Sequence, residues 1–276
     1  MLTALASLLW PPLLACLILT FIHGYLGLHV LAREVIFVDI ALAQVAALGT
    51  TVAFLFGYDL DSAMAYWLSL GFTLAGAAIL AGTRRRERHV SQEAVIGVVY
   101  AVSAAAAILL VDRAPRGVEH IKAMLVGSLL TVTPVQVAKT AGLYGAVGLF
   151  HWWARRPFIL ISTDPTAAYD RGIAVHWWDF LFYASFGVVV TSSVRIAGVL
   201  LVFAYLIVPG LAAMAWEAQW RARLLFGWSL ATGVSLAGIV ISASLDSPTG
   251  ATIVCVFGLT LVATWIVAAW KRLPTG

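Results

Sequence analysis

The residues best able to do chemistry are a few ionisable side chains inside otherwise apolar segments. Asp39 is an acid within the apolar run Val35 to Phe56. An ionisable group at membrane depth costs roughly 3 kcal/mol or more, so it indicates a path for an ion or another substrate. A structural role is the alternative, because a carboxylate in the first turns of a helix is stabilised by the helix N-terminus. The sequence leaves both interpretations of Asp39 open.

Two histidines lie in or beside the first apolar segment. His23 falls in its C-terminal half, and His29 follows the segment. Six residues of separation place the two rings on different faces of a helix, so they cannot form a two-histidine metal site there. A hydrogen bond to a neighbouring helix is the favoured role of each histidine. A site shared by His23 and Asp39 is the remaining alternative.

Two further acids stand at the ends of apolar segments. Asp246 belongs to the turn sequence Asp-Ser-Pro-Thr, where capping of the turn is a sufficient role and attraction of a cation at the outer mouth is the second choice. Asp179 follows Trp177 and Trp178 at the start of a segment. Stabilisation by the helix dipole within an aromatic belt explains Asp179.

The apolar segments that position these residues are long enough to cross a membrane. The chain is 62% hydrophobic and 11% charged, and its apolar runs approach the ~20 residues that a helix needs to span ~30 Å of hydrocarbon. Lipid offers no partners for free backbone groups, and the runs are too continuously apolar for barrel strands. The sequence predicts nine spans, namely Leu8 to Leu28, Val35 to Phe56, Ala63 to Gly82, Ala94 to Val111, Gln136 to Trp153, Trp177 to Val194, Ile196 to Trp216, Leu224 to Leu245 and Ala251 to Trp270.

The positions of the cysteines and of the first basic residue argue against a cysteine-based site and against a cleaved signal peptide. Cys16 and Cys255 are the only cysteines, and both fall inside predicted spans, which argues against disulfides and a thiolate metal cage. Arg33 is the first basic residue. Without a basic region before it, the first segment is predicted to stay as a span and not to be cleaved as a signal peptide.

The distribution of basic residues predicts an orientation. If nine spans alternate, most Lys and Arg fall on one side, which is then the cytoplasm, and the C-terminus lies there too. The exceptions lie in one loop, at Arg113, Arg116 and Lys122. The segment Ile121 to Thr131 could instead be a re-entrant half-helix, which leaves the span count and the side of the N-terminus open. The net charge of +4 therefore relates to membrane orientation and not to nucleic acid, for which no soluble basic domain exists.

The longest polar interruption, Arg155 to Val175, contains the signals of a short helix. Asp164 can cap its N-terminus, Pro165 suits the first helical position, and Gly172 can end it. The pattern predicts a surface helix from Pro165 to Arg171. Any long loop can contain one capped turn, so composition alone assigns this helix no function.

Segments in a fixed order resemble the permease family of zinc, manganese and iron ABC importers. They are Ser91 to Tyr100, Met124 to Thr133, the loop pattern of Asp164, Pro165, Ala168 and Gly172, the pair Gly198 and Pro209, and the turn of Asp246, Pro248, Gly250 and Ala251. The resemblance covers most of Ser91 to Trp270 and lies in the order and spacing of the motifs. It implies an all-α, polytopic membrane bundle of about eight to nine transmembrane helices, BtuC-like and type II. Residues 1–276 would then be one transmembrane domain with its coupling loop at 155–175.

The resemblance also implies partners. Asp164, Pro165, Ala168 and Gly172 stand where the family has the coupling helix that docks onto an ATPase subunit. The chain has no GxxxxGKS/T stretch, so a separate subunit would hydrolyse ATP. The expected assembly is a homodimer in the bacterial inner membrane. A periplasmic or lipid-anchored protein would deliver zinc or manganese as substrate, and no cofactor would be permanently bound.

One family signature is incomplete. In the family an aspartate in the second span is followed four residues later by a histidine, and such a pair on one helix face can ligate a divalent ion. Here Asp39 is followed at that distance by Ala43, and Gln44 matches only with an offset of one residue. Five residues rotate by ~140°, so Asp39 and Gln44 face different directions. The candidate metal pathway is Asp39, Gln44, His23 and Asp246.

Three other functional classes predict different sequence features. A secondary transporter working alone is the runner-up, and it predicts inverted repeats and several buried charges. Import of a metal chelate or another small solute is a further alternative, since the chelating pair is missing. An intramembrane hydrolase has little support, because neither HExxH nor GxSxG occurs.

Overall fold

The computed structural model describes residues 2–59, 62–83, 91–111, 127 and 129–272. Every regular element within these residues is a helix. Several sequence predictions lie outside the described residues, namely those on Asp61, on the basic residues between positions 84 and 90 or 112 and 122, and on most of Ile121 to Thr131.

The described part of the chain contains ten α-helices and one 3-10 turn. In chain order they are α1 (Leu2–Ala32), α2 (Val38–Leu55), α3 (Ala63–Thr83), α4 (Gln92–Val111), a 3-10 turn (Leu129–Thr131), α5 (Pro134–Trp153), α6 (Arg155–Thr163), α7 (Pro165–Asp170), α8 (Val175–Trp216), α9 (Trp220–Leu245) and α10 (Thr249–Arg272).

Seven of the described helices, α1 to α4 and α8 to α10, are long and apolar enough to cross a membrane. The predicted spans Trp177 to Val194 and Ile196 to Trp216 both lie in α8. The predicted span Gln136 to Trp153 is α5, where polar residues such as Gln136 and Lys139 lower the apolar content. The chain is a multi-pass, all-helical membrane protein.

Helix α8 is interrupted at one glycine. Gly198 has φ 76° and ψ 159°, which is not helical. Glycine occupies this region without the steric cost that a Cβ brings, so the break falls at a suitable residue, three positions beyond the predicted boundary at Arg195. Pro209 lies inside α8, which ends at Trp216, as the predicted span Ile196 to Trp216 does.

The helices form two compact units, each assembled from separate stretches of chain. The first unit contains Met1–Leu31, Leu125–Gly145 and Arg195–Gly276. Within it α9 packs against α10. Gly27 lets α1 approach the C-terminal part of α8, because a Cβ at Gly27 would fall 1.8 Å from the carbonyl oxygen of Leu206.

The second unit contains Ala32–Met124 and Ala146–Val194. Helix α2 packs against α3 and α4. Polar contacts link these apolar helices, as membrane helices commonly do. The Ser69 hydroxyl donates to the carbonyl of Ala46 at 2.8 Å, and the hydroxyl oxygens of Thr73 and Thr191 lie 3.1 Å apart. Helices α6 and α7 and the N-terminal part of α8 complete this unit.

Candidate functional site

The surface helix α7 begins with the predicted cap. The Asp164 carboxylate accepts a hydrogen bond from the backbone N–H of Ala167 at 2.9 Å, and Pro165 occupies the start of the helix. An N-cap carboxylate satisfies one of the free N–H groups of the first turn. The expected start of the helix is confirmed.

The end of α7 is equally well defined. Gly172 has φ 70°, and the N–H groups of Gly172 and Ile173 donate to the carbonyls of Tyr169 and Ala168 at 3.0 and 3.1 Å. This pair of bonds is a Schellman motif, in which a left-handed glycine ends the helix. The predicted stop is confirmed, and the helix is one residue shorter than predicted because Arg171 is the C-cap.

The two faces of α7 differ in burial. Ala168 is fully buried and packs with Ile161 of α6 and Val175 of α8. Thr166 and Asp170 are exposed on the same helix. The family resemblance assigned Ala168 to ATPase coupling, and its burial limits that role to holding α7 against α6 and α8. The exposed residues are the ones available to a partner.

A buried ion pair lies beside this segment. The Arg33 guanidinium is 2.6 Å from the Asp179 carboxylate, and both side chains are fully buried. Arg33 Nε also donates to the Ser162 hydroxyl of α6 at 2.8 Å. Asp179 was predicted to be stabilised by the helix dipole within an aromatic belt, and the structure adds its ion pair with Arg33. Both charges stand at ends of apolar segments, and that was the signal available for pairing them.

Asp39 lies in the first turn of α2 and is 1% exposed. The nearby backbone N–H groups of Asp39 and Ile40 favour its charged form, which agrees with stabilisation by the helix start. Its Oδ1 has no hydrogen-bond partner among the described residues. The structural and the ion-path interpretations of Asp39 are therefore compatible.

A second carboxylate that the sequence analysis did not single out belongs to Glu93, in the first turn of α4. Its Oε1 accepts a hydrogen bond from the backbone N–H of Phe37 at 3.1 Å, two residues before Asp39. The two carboxylates interact electrostatically. Glu93 lies in the segment Ser91 to Tyr100, but only the tertiary structure brings α4 to the start of α2.

The residues after Asp39 do not complete a metal cage. Ala43, one turn later, is 1% exposed, whereas Gln44 is only half-buried. This difference agrees with the prediction that Asp39 and Gln44 face different directions. Within the described part of the chain, no group of three or more His, Cys, Asp or Glu side chains is arranged to hold a metal ion.

His23 lies in the first unit, whereas Asp39 belongs to the second. The His23 ring is fully buried, and its Nδ1 lies 2.9 Å from the carbonyl oxygen of Leu19 one turn earlier in α1. The ring also meets Tyr144 edge-on, with 6.2 Å between ring centroids. The Nδ1 hydrogen bond lies within α1, and the Tyr144 ring belongs to the neighbouring helix α5.

Asp246 is the exposed C-cap of α9 and adopts a left-handed conformation with φ 50° and ψ 44°. Ser242 closes the turn, since its hydroxyl donates to the Ser247 carbonyl at 2.6 Å. Asp is one of the few residues that tolerate this conformation. The geometry agrees with the capping role of Asp246.

Comparisons with known proteins agree with the helical architecture. The sequence profile of the ABC 3 transport family matches residues 6–268. The manganese transport system membrane protein MntC of Halalkalibacterium halodurans is 24% identical over 250 residues, which cover 91% of this chain and 84% of that protein. The chelated iron transport system membrane protein YfeD of Yersinia pestis is 24% identical over 209 residues, covering 74% and 70%.

A solved structure has the same fold. PsaBC from Streptococcus pneumoniae, in complex with Fab, superposes with a TM-score of 0.80 at 19% identity, over 99% of this chain and 98% of that chain. The family match extends over nearly the whole sequence and includes both units. The chain therefore belongs to the ABC 3 transport family.

Proposed function

We propose that the chain is the membrane-spanning permease subunit of an ABC importer for divalent metal ions, with zinc and manganese favoured and iron next. A separate ATPase subunit supplies the energy, and a periplasmic or lipid-anchored metal-binding protein delivers the ion. Two copies form a homodimer in the bacterial inner membrane, with the C-terminus in the cytoplasm. The names of the relatives, one for manganese and one for chelated iron, support a metal substrate.

One observation carries this proposal, namely the construction of α7. A six-residue helix is too short to be stable alone, yet α7 is capped at both ends and anchored by Ala168. Its exposed side chains are left for a partner. Rigid anchoring is what a docking element needs, because a force on a loosely held loop would be lost before it reached the transmembrane helices.

The acids near the start of α2 support a transient ion contact. Asp39 and Glu93 together offer carboxylate oxygens, which suit manganese and also bind zinc. Conduction requires binding that is weak enough for the ion to leave, so a site with few strong ligands favours passage over storage. The same shortage of ligands makes a metal chelate the second candidate substrate. Uptake of free manganese, zinc and iron compared with their chelates in proteoliposomes distinguishes these candidates.

Docking of an ATPase onto α7 is testable at its exposed face. We expect Thr166→Arg to leave the permease in the membrane with normal thermal stability, because Thr166 is exposed. The added bulk and charge should abolish co-purification with the ATPase and ATP-dependent metal uptake. Co-purification, ATP hydrolysis and uptake are the three measurements.

Ser244→Arg is the matched control for this variant. Ser244 is also exposed, in the last turn of α9, next to a turn that the charge distribution places on the other side of the membrane. It should retain the ATPase and transport. If Thr166→Arg binds the ATPase and transports metal as the parental protein does, the assignment of α7 as the docking element is wrong.

A further inference from the structure

Arg33 lies on a short, tightly turned link between two helices. Helix α1 ends at Ala32 and α2 begins at Val38, and the chain passes from the first unit to the second at Leu31 and Ala32. Glu34 in this link has φ 57°, in the left-handed region that few side chains favour. Val35 is 1% exposed. Arg33 before Glu34 and Val35 after it are both buried, so the chain is packed on both sides of the turn.

The Arg33 side chain joins this link to two other elements of the second unit. It pairs with Asp179 of α8 at 2.6 Å and donates to Ser162 of α6 at 2.8 Å. Its guanidinium also lies 3.9 Å from the ring centroid of Phe182. Ser162 precedes the Asp164 cap of α7 by two residues. One buried side chain therefore contacts the elements on either side of the coupling helix.

Stability alone does not explain such a group. Removing two charges from water is costly, and a well-packed hydrophobic pair of similar volume is often as stable as a buried ion pair or more so. A planar guanidinium, in contrast, holds several partners in fixed directions at once. The geometry of Arg33 therefore favours a role in alignment.

The other end of the link reaches the two candidate pathway acids. The Phe37 N–H donates to Glu93, and Asp39 lies in the following helical turn. Only five residues separate α1 from α2. A displacement of Arg33 would therefore also move the start of α2.

We propose that Arg33 is a positioning residue that couples movement of α7 to the start of α2, through Ser162 and Asp179. This inference rests on the proposed function and adds a route from the ATPase docking helix to the acids Asp39 and Glu93. It makes the Arg33 to Ser162 hydrogen bond the connection on the α6 side, and the Arg33 to Asp179 ion pair the connection on the α8 side.

Two variants of the full permease, reconstituted in liposomes with the ATPase that co-purifies with it, test this route. Ser162→Ala removes the hydroxyl that Arg33 contacts and leaves the ion pair in place. Arg33→Met combined with Asp179→Leu removes both buried charges without leaving either unpaired, which preserves stability. Thr51→Val is the control, since the buried Thr51 hydroxyl bonds the Ala47 carbonyl of its own helix at 2.9 Å.

The decisive measurement is metal transported per ATP hydrolysed. We expect Ser162→Ala and the double variant to bind the ATPase and hydrolyse ATP, with the transport ratio reduced about fivefold or more, as for an ordinary coupling free energy. Thr51→Val should keep the parental ratio. A purely structural role would instead leave the ratio unchanged in every variant that reaches the membrane folded.

The outcomes separate this inference from the proposed function. Parental transport ratios in Ser162→Ala and in the double variant would overturn the role of Arg33 while the permease assignment stands. If the double variant fails to reach the membrane, Ser162→Ala alone decides. A parental protein that binds no ATPase would overturn the proposed function, and the inference with it.

Discussion

Asp39 combines two features, a position in the first turn of α2 and a second carboxylate, Glu93, close to it. As the first-turn acid of α2 it lies at the helix N-terminus, and the Glu93 carboxylate interacts with it electrostatically. A helix-start carboxylate needs no second acid, and two neighbouring carboxylates repel each other unless a proton or a cation lies close. The proposed ion contact at Asp39 is therefore testable by removing its charge.

We expect Asp39→Asn to slow metal uptake about tenfold, which corresponds to losing ~1.4 kcal/mol from one charged contact. Asn keeps the shape and can still accept from the helix N-terminus, so folding should be largely preserved. Initial rates of manganese and zinc uptake in proteoliposomes measure the effect.

Asp246→Asn is the matched comparison, because Asp246 was also predicted on the pathway whereas its geometry agrees with turn capping. It removes an exposed acid at the end of α9, and Asn tolerates the left-handed conformation of this position. Uptake by this variant should equal the parental rate. Parental uptake by Asp39→Asn as well would leave Asp39 as a helix-end stabiliser only.

The stability of helix α7 depends more on the caps at its two ends than on its length of six residues. The buried position of Ala168 also changes how the element must be probed. Ala168→Arg would place a charge among Ile161 and Val175 and disrupt the packing of α7, so it tests the fold of the segment. Substitutions at Thr166, on the exposed side, test docking.

Gly172→Ala isolates the backbone contribution to the end of α7. A Cβ at Gly172 would meet no atom within 4 Å, so only the φ of 70° opposes the change. We expect a local cost of about 1 kcal/mol, seen as faster hydrogen exchange in residues 165–175, and weaker ATPase binding.

Gly71→Ala provides the comparison, because Gly71 lies in α3 and a Cβ there also meets no atom within 4 Å. Ala favours a helix over Gly by about 1 kcal/mol. This variant should therefore leave exchange in 165–175 and ATPase binding unchanged. Equal behaviour of the two variants would show that the left-handed turn at Gly172 is dispensable.

For the whole molecule, the positive-inside distribution predicts the sides of its connections. In a cysteine-free background, Lys271→Cys should be protected from a membrane-impermeant thiol reagent in intact cells, whereas Ser247→Cys, in the turn after α9, should react. Lys271 is exposed on the protein, so protection of this position reports the membrane and not burial. Labelling of position 271 from outside would show that the predicted orientation is inverted.

The sequence by itself determined the features that depend on local chemistry. Apolar runs of membrane length predicted the all-helical architecture, and Asp164, Pro165 and Gly172 predicted both ends of α7. These succeeded because a cap or a left-handed glycine acts on residues three to five positions away. The order of motifs also identified the family. The predicted spans Trp177 to Val194 and Ile196 to Trp216 correspond to the two stretches of α8, and the break between those stretches lies at Gly198, three residues beyond the predicted boundary at Arg195.

Only the tertiary structure decided which distant residues meet. Arg33 and Asp179 are separated by 146 positions, and Phe37 and Glu93 by 56. No periodicity relates residues so far apart, because their proximity depends on how whole helices pack. The inward direction of Ala168 likewise follows from α6 and α8, and not from the six residues of α7. Local sequence thus specifies helices and their ends, whereas burial and pairing of charge arise from packing between helices.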